Sequence, residues 1–216
     1  MEVYLDETRV DHVFDPGESL ERGLRAVHGR YGSGDRIIVG VKCDGVHLLN
    51  EELHKALQQP VGAFRCIEIL TAAPCVLASE ALGEARRSLG DVDARRAQIA
   101  AHFSAGRIRE GMSGLGEMLS VWQQVHDVVA KSVQMITDDL ASMRVEGESI
   151  EEVLDAPRRQ LMQIRDALQT QDFVMLADLL EYEFGEAVQS WSGVIDALDQ
   201  RAQERIREDA GGEESL

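Results

Sequence analysis

Basic residues are scarce in this chain. Lys and Arg number 22 against 39 Asp and Glu, for a formal net charge of −17. Phosphate backbones and anionic lipid surfaces attract positive fields, so nucleic acid and membrane are both excluded as expected partners. Cysteine is scarce too. Cys43, Cys66 and Cys75 form no Cys-x-x-Cys and have no matching His pair, which reads as reduced, mostly buried thiols and not as a zinc site or a disulfide framework. No apolar run approaches about 18 residues, so no transmembrane helix is expected. The first residues are acidic and alternating, where a signal peptide would be basic and then apolar, and the expected compartment is the cytoplasm. Motif chemistry is missing as well: there is no Gly-x-x-x-x-Gly-Lys-Ser/Thr, no nucleophile elbow and no His-Glu-x-x-His. The expected protein is not an enzyme, and no cofactor or metal is expected.

What is present suits a folded chain. A length of 216 residues allows one large domain or two small ones, and a hydrophobic content of 44% is ordinary for a globular protein. The acidity is uneven. Residues 1–72 carry 12 acids and 8 bases, net −4, while the remainder carries 27 and 14, net −13.

Residues 1–72 read as a small α+β domain. Val3 and Leu5 alternate with Glu2, Tyr4 and Asp6, and Val10, His12 and Phe14 alternate again, so a strand hairpin is expected across residues 6–9. Pro16 and Gly17 end that run. Leu20, Leu24, Val27 and Tyr31 then recur at helical spacing until Gly32, Ser33 and Gly34. Ile37, Ile38, Val39 and Val41 are β-branched, Asp44-Gly45 is a hairpin signal, and a return strand over 46–49 follows. Asn50 is the expected N-cap of a short helix to Leu57. Pro60 and Gly62 break it, and a last strand runs over 64–70. Pro74 places the domain boundary between 70 and 76.

The rest is helical. Leu77, Ala81, Ala85, Leu89, Val92, Ile99 and Phe103 share one broad face of a first helix that Gly90 interrupts. After a turn at Ala105-Gly106, a long second helix carries Ile108, Met112, Leu115, Leu119, Trp122, Val125, Val129, Val133, Ile136 and Leu140, and runs to about Met143. Ser149 with Glu152 fits a capping box, and Pro157 shortens or restarts the third helix. The other long helix is expected over 172–206, with Phe173, Leu176, Leu180, Phe184, Val188, Trp191, Ile195, Leu198, Ala202 and Ile206 at steps of three or four. The two stripes echo one another. Gly116-Glu117, Trp122, Val125 and Asp127 match Gly185-Glu186, Trp191, Val194 and Asp196 at an offset of 69, and Gln98-Ile99 and Phe103 match Gln163-Ile164 and Leu168 at 65. This suggests a duplicated helical hairpin. The expected architecture is therefore α+β: a domain at 1–72, an antiparallel helical bundle with two long helices at 75–207, and a disordered acidic tail at 208–216.

The element order of residues 1–72 resembles the ubiquitin-like β-grasp fold, with a ferredoxin-like α+β arrangement as the competing fold. The resemblance implies a recognition domain and, because the chain continues past Leu70, no conjugation through a free carboxylate. The stretch at 172–183 is similar to segments of uncharacterised bacterial helical proteins. A looser likeness, in acidity and helicity, is to flagellar and type III secretion chaperones.

Candidate chemistry is sparse. Glu51, Glu52 and His54 make one Glu-x-x-His, where a di-iron bundle needs two and two further glutamates. Glu117 and Glu186 could face each other as acid/base or metal carboxylates, though solvated or arginine-paired carboxylates are the commoner case. His12, His28, His47, His102 and His126 lack ligand spacing. Gly111, Gly114 and Gly116 lie within a stripe and suit close helix contact or a hinge. Leu115, Trp122, Phe184 and Trp191 are the candidate partner-binding residues, and as core anchors they would be buried together. The expected function is a protein-interaction module acting on a protein partner or as a homodimer, in the manner of a secretion-chaperone-like adaptor. The alternative is a small-molecule sensor or enzyme with a pocket between helices or at the domain junction.

Overall fold

A computed structural model describes residues 1–15, 17–32, 35–136, 144–145 and 147–213, with the side chains of all these but 145, 148, 151–159 and 210–213. The chain divides into two units, Met1–Pro74 and Cys75–Leu216. The fold is α+β, a five-stranded mixed sheet in the first unit and a mostly helical second unit.

The first unit holds strands β1 (Glu2–Leu5), β2 (Thr8–Arg9), β3 (Ile37–Cys43), β4 (Val46–His47) and β5 (Cys66–Ala72), with helices α1 (Leu20–Tyr31) and α2 (Asn50–Leu57). The sheet order is β2-β1-β5-β3-β4, with β1 and β5 parallel at its centre. Val3 and Leu5 register with Ile67 and Ile69, which register in turn with Cys43 and Val41. The period-two alternation puts all six on one face, where they meet Leu20, Leu24 and Val27 of α1. Ser19 caps α1 by accepting from the Arg22 amide.

Three local expectations are corrected here. The second strand is Thr8–Arg9, not the alternation at 10–14, because Asp6 and Glu7 take positive φ (46° and 65°) and close the hairpin in two residues. The return strand after Asp44-Gly45 stops at His47. Asn50 is the first residue of α2 with φ of 46°, and Leu49, which has no capping side chain, precedes it.

The second unit holds α3 (Pro74–Ser104), α4 (Ile108–Ile136), a small hairpin of β6 (Arg144–Val145) and β7 (Glu148–Ser149), α5 (Ile150–Thr170), α6 (Phe173–Asp178), a π-helical segment (Leu179–Glu183) and α7 (Phe184–Glu213). Three helices are therefore long, not two, with 31, 29 and 30 residues in α3, α4 and α7. Gly90 does not interrupt α3. Its cost of about 1 kcal/mol relative to alanine is set against Leu89 and Val92, both buried beside it. The backbone of α5 is helical through Pro157. The last helix extends to Glu213, into the stretch expected to be a disordered tail. The expected turns at Pro16 and at Ser33-Gly34, the run of the second helix through Leu140 to Met143, and the side chains of Glu152 and Pro157 lie outside the described residues.

Side-chain pairings fix the helix directions. Phe103 and Ile99 of α3 face Gly111 and Gly114 of α4, so α3 and α4 are antiparallel. Ser79 donates to Asp199 and Arg86 pairs with Asp196, so α3 and α7 are antiparallel too. Trp122 meets Trp191, and Arg205 donates to the Ile136 carbonyl, so α4 and α7 run parallel with one offset, 69, at both places. The buried positions repeat at that offset: Gly111, Leu115, Met118, Trp122, Val125 and Val129 correspond to Leu180, Phe184, Ala187, Trp191, Val194 and Leu198, all buried. Gly111, not Met112, faces the core of α4. A Cβ there would stand 2.8 Å from the Phe103 ring.

Candidate functional site

The four residues singled out in the sequence come together. Leu115 and Trp122 on α4 and Phe184 and Trp191 on α7 are each no more than 3% exposed. The Trp122 ring lies 4.9 Å from that of Phe184 and 5.4 Å from that of Trp191, and the exposed His126 ring is 5.5 Å from Trp191. Their burial together is the arrangement expected of core anchors. They are the centre of the core, and a partner reaches them only if the helices separate. The Trp191 Nε1–H group is buried with no acceptor among the described residues, a cost the surrounding packing sustains.

Phe184 owes its position to the segment before it. Asp172 caps α6 by accepting from the Met175 amide at 2.9 Å. The inward residues Leu176, Leu180, Phe184 and Val188 then follow at three successive steps of four. Each such step overshoots a 3.6-residue turn by about 40°, so the stripe of a straight α-helix would rotate off the core. The π turn absorbs the surplus, with the Phe184 amide bonded to the Leu179 carbonyl. The expected single helix over 172–206 is in fact two helices joined by this turn.

A wider turn leaves carbonyls short of amide donors. Arg96 of α3 supplies them: its Nη1 donates to the Leu180 carbonyl at 2.8 Å and also to that of Glu181, while its Nε donates to Asp93 at 3.0 Å. Only 18% of this side chain is exposed. Gly185 makes room for it, since a Cβ there would lie 3.1 Å from the guanidinium.

Beside the π segment, α5 forms the wall of an open groove of about 530 Å³. Gln160, Met162, Gln163 and Asp166 line it from α5 and Glu183 from the π segment. The Gln160 Oε1 atom is buried without a donor among the described residues. Met162 is 48% exposed, and the outer ridge of α6 and the π segment presents Val174 and Tyr182 at 72% and 66%. Neither Arg96 nor the groove was singled out in the sequence. The three four-residue steps were the available signal for the turn.

The other candidates are dispersed. Glu51, Glu52 and His54 are exposed on α2, with Glu51 paired to Lys55. Glu117 lies 3.9 Å from Arg95, and Glu186 is exposed on α7. Gly111 and Gly114 are close-contact positions, while Gly116 faces open space. The cysteines are free thiols, Cys43 and Cys75 buried and Cys66 half-buried. Burial, with Asp44 and Cys66 nearby, pushes the Cys43 thiol up to about 11. Burial and neighbouring carboxylates raise Cys66 as well.

One polar cluster in the first unit was not foreseen. Asp6 accepts from the Thr71 amide at 2.7 Å and from its hydroxyl at 2.5 Å, and Arg36 donates to the Thr71 hydroxyl and carbonyl, both at 2.7 Å. Burial alone would raise the Asp6 pKa. The Thr71 bonds and the Arg36 charge together outweigh it and hold the carboxyl below its ordinary value. The cluster ties the β1–β2 turn to the end of β5.

Fold and site together define an α+β protein whose helical unit packs two parallel long helices around paired tryptophans, with an arginine-strapped π turn beside them. A family described as a domain of unknown function, DUF8042, matches residues 80–194. The chain belongs to that family. The match spans Arg96, both tryptophans, the π turn and Gly185, and it leaves the sheet-bearing unit outside. No curated protein and no solved structure matches the chain. Among the described residues, no helix is long and apolar enough to cross a membrane.

Proposed function

We propose that this chain is a non-enzymatic, cytoplasmic protein-interaction module, with a secretion-chaperone-like adaptor as its sharpest form. The observation that carries the reading is the exposure of Met162, Val174 and Tyr182 on neighbouring elements of the family-matched unit. Large apolar side chains gathered at a surface favour a polypeptide partner. The first unit supports a recognition role, since its order of elements along the chain is the one on which the β-grasp resemblance rests. The acidic surface disfavours nucleic acid and anionic membranes.

The test is native mass spectrometry of the full chain, purified gently from cells that make it naturally. A stoichiometric polypeptide partner is expected. A tightly bound small molecule in its place, with no polypeptide, would overturn the reading in favour of a sensor or enzyme.

A further inference from the structure

Resting on that reading, we propose that the groove between α5 and the π segment docks an amphipathic helix of a partner protein, with lysine or arginine flanking its apolar stripe. Three observations lead there. Met162 gives the groove an apolar wall, Leu161 and Tyr182 are exposed on the same two elements, and Met175 is exposed on the adjoining α6. The charged groups among its described lining residues are the carboxylates of Asp166 and Glu183. Arg165 places both its bonds on one oxygen of Asp166, leaving the other open, and Glu183 has no ion-pair partner among the described residues. The orphan polar atom in the lining, Gln160 Oε1, is an acceptor. A groove of this kind is complementary to an apolar stripe with cationic donors beside it.

The occupant follows by comparison. Residues 73–216 carry net −13, so a second copy of this chain would bring like charge to the groove, and an anionic lipid surface would do the same. An added strand needs a sheet edge with free backbone groups, whereas this groove lies between helices. A helix satisfies its own backbone and needs only side-chain complementarity.

The test uses the full chain and a fluorescein-labelled peptide of about 16 residues, roughly four turns, with leucine at i, i+3, i+4 and i+7 and lysine elsewhere. One control peptide has the same composition in shuffled order, and another carries glutamate for lysine. Polarisation should show binding of the patterned peptide alone. Met162→Asp should weaken it, as should Asp166→Lys combined with Glu183→Lys, each by about tenfold or more. Reversing Glu110 and Asp127, exposed on α4, should change it less than about twofold. Equal binding of the shuffled peptide, or groove variants that bind like the parent, would overturn the proposal. The charge-reversal variant alters exposed residues and keeps the test decisive if Met162→Asp fails to fold. Photoreactive residues at 162 and at 39, the latter exposed in the first unit, separate this proposal from the broader one. In the producing cells, polypeptide adducts at 162 are expected. Adducts at 39 alone would overturn the groove and leave the interaction module standing, and none at either site would overturn both.

Discussion

Replacing Arg96 by alanine should destabilise the helical unit by about 2–3 kcal/mol. The guanidinium donates to the carbonyls of Leu180 and Glu181 and braces itself on Asp93. Bonds from a charged donor are each worth about 1.5–3 kcal/mol. Two such bonds from one side chain do not add fully, and water reaches carbonyls near a surface, so the working figure lies well below twice that range. Arg95, one residue earlier, is the internal control. Its contact with Glu117 spans 3.9 Å between side chains 64% and 68% exposed, and Arg95→Ala should cost no more than about 0.5 kcal/mol. Arg96→Lys should fall between, because an ammonium reaches one carbonyl where the planar fork reaches two. The assay is urea unfolding followed by tryptophan emission. Both tryptophans lie in Cys75–Leu216, so the signal reports that unit alone. At a slope of about 2 kcal/mol per molar urea, the Arg96→Ala midpoint should fall by about 1–1.5 M. If the two alanine variants unfold within about 0.5 kcal/mol of each other, the strap is not holding the π turn and the reasoning fails.

Trp191→Ala should cost about 3–5 kcal/mol, read as the loss of ellipticity on heating, and an unchanged melting temperature would mean that the ring is not a core anchor. Gly111→Ala should destabilise by about 1–2 kcal/mol, since a Cβ 2.8 Å from the Phe103 ring forces repacking that outweighs the gain in helix propensity. Gly116→Ala, facing open space, should stabilise by about 0.5–1 kcal/mol in the same denaturation series. The Asp6 carboxyl sits below its ordinary value in the folded chain, so its stabilising effect is complete above about pH 4 and is lost as pH falls through the depressed value. In acid titrations followed by methyl NMR at Ile67, Asp6→Asn should be less stable at neutral pH and flatter below pH 4, and an unaltered acid limb would refute the role of the cluster.

Much of the fold was legible because it rests on periodicity. Val3 and Leu5 alternate because β1 buries one face. Asp44-Gly45 turns because both residues adopt positive φ, 52° and 81°. The tryptophans were readable as core because each lies on a stripe that repeats. What escaped lies outside periodicity. Asp6 and Glu7 close a hairpin without the glycine that usually announces one. Arg96 acts on carbonyls 84 and 85 residues away, and a charged residue on a helix carries no mark of such a partner. The groove depends on which side of α5 and of the π turn remains uncovered, a property of packing between elements that no single stripe records.

The shared offset of α4 and α7 makes the helical unit a comparison of a structure with itself. Gly185 corresponds to Gly116, and at the offset of 65 Arg96 corresponds to Leu161. Gly185 of the second half seats the guanidinium of the first, whereas Gly116 of the first half opens on empty space, and the position of the strap is held in the second half by Leu161, 37% exposed. The two halves have thus divided their labour. The half with the arginine spends its polar reach inward, fastening an irregular turn, while its counterpart keeps an exposed leucine on α5. An asymmetry of one side chain within a repeated frame is enough to give this unit a front and a back.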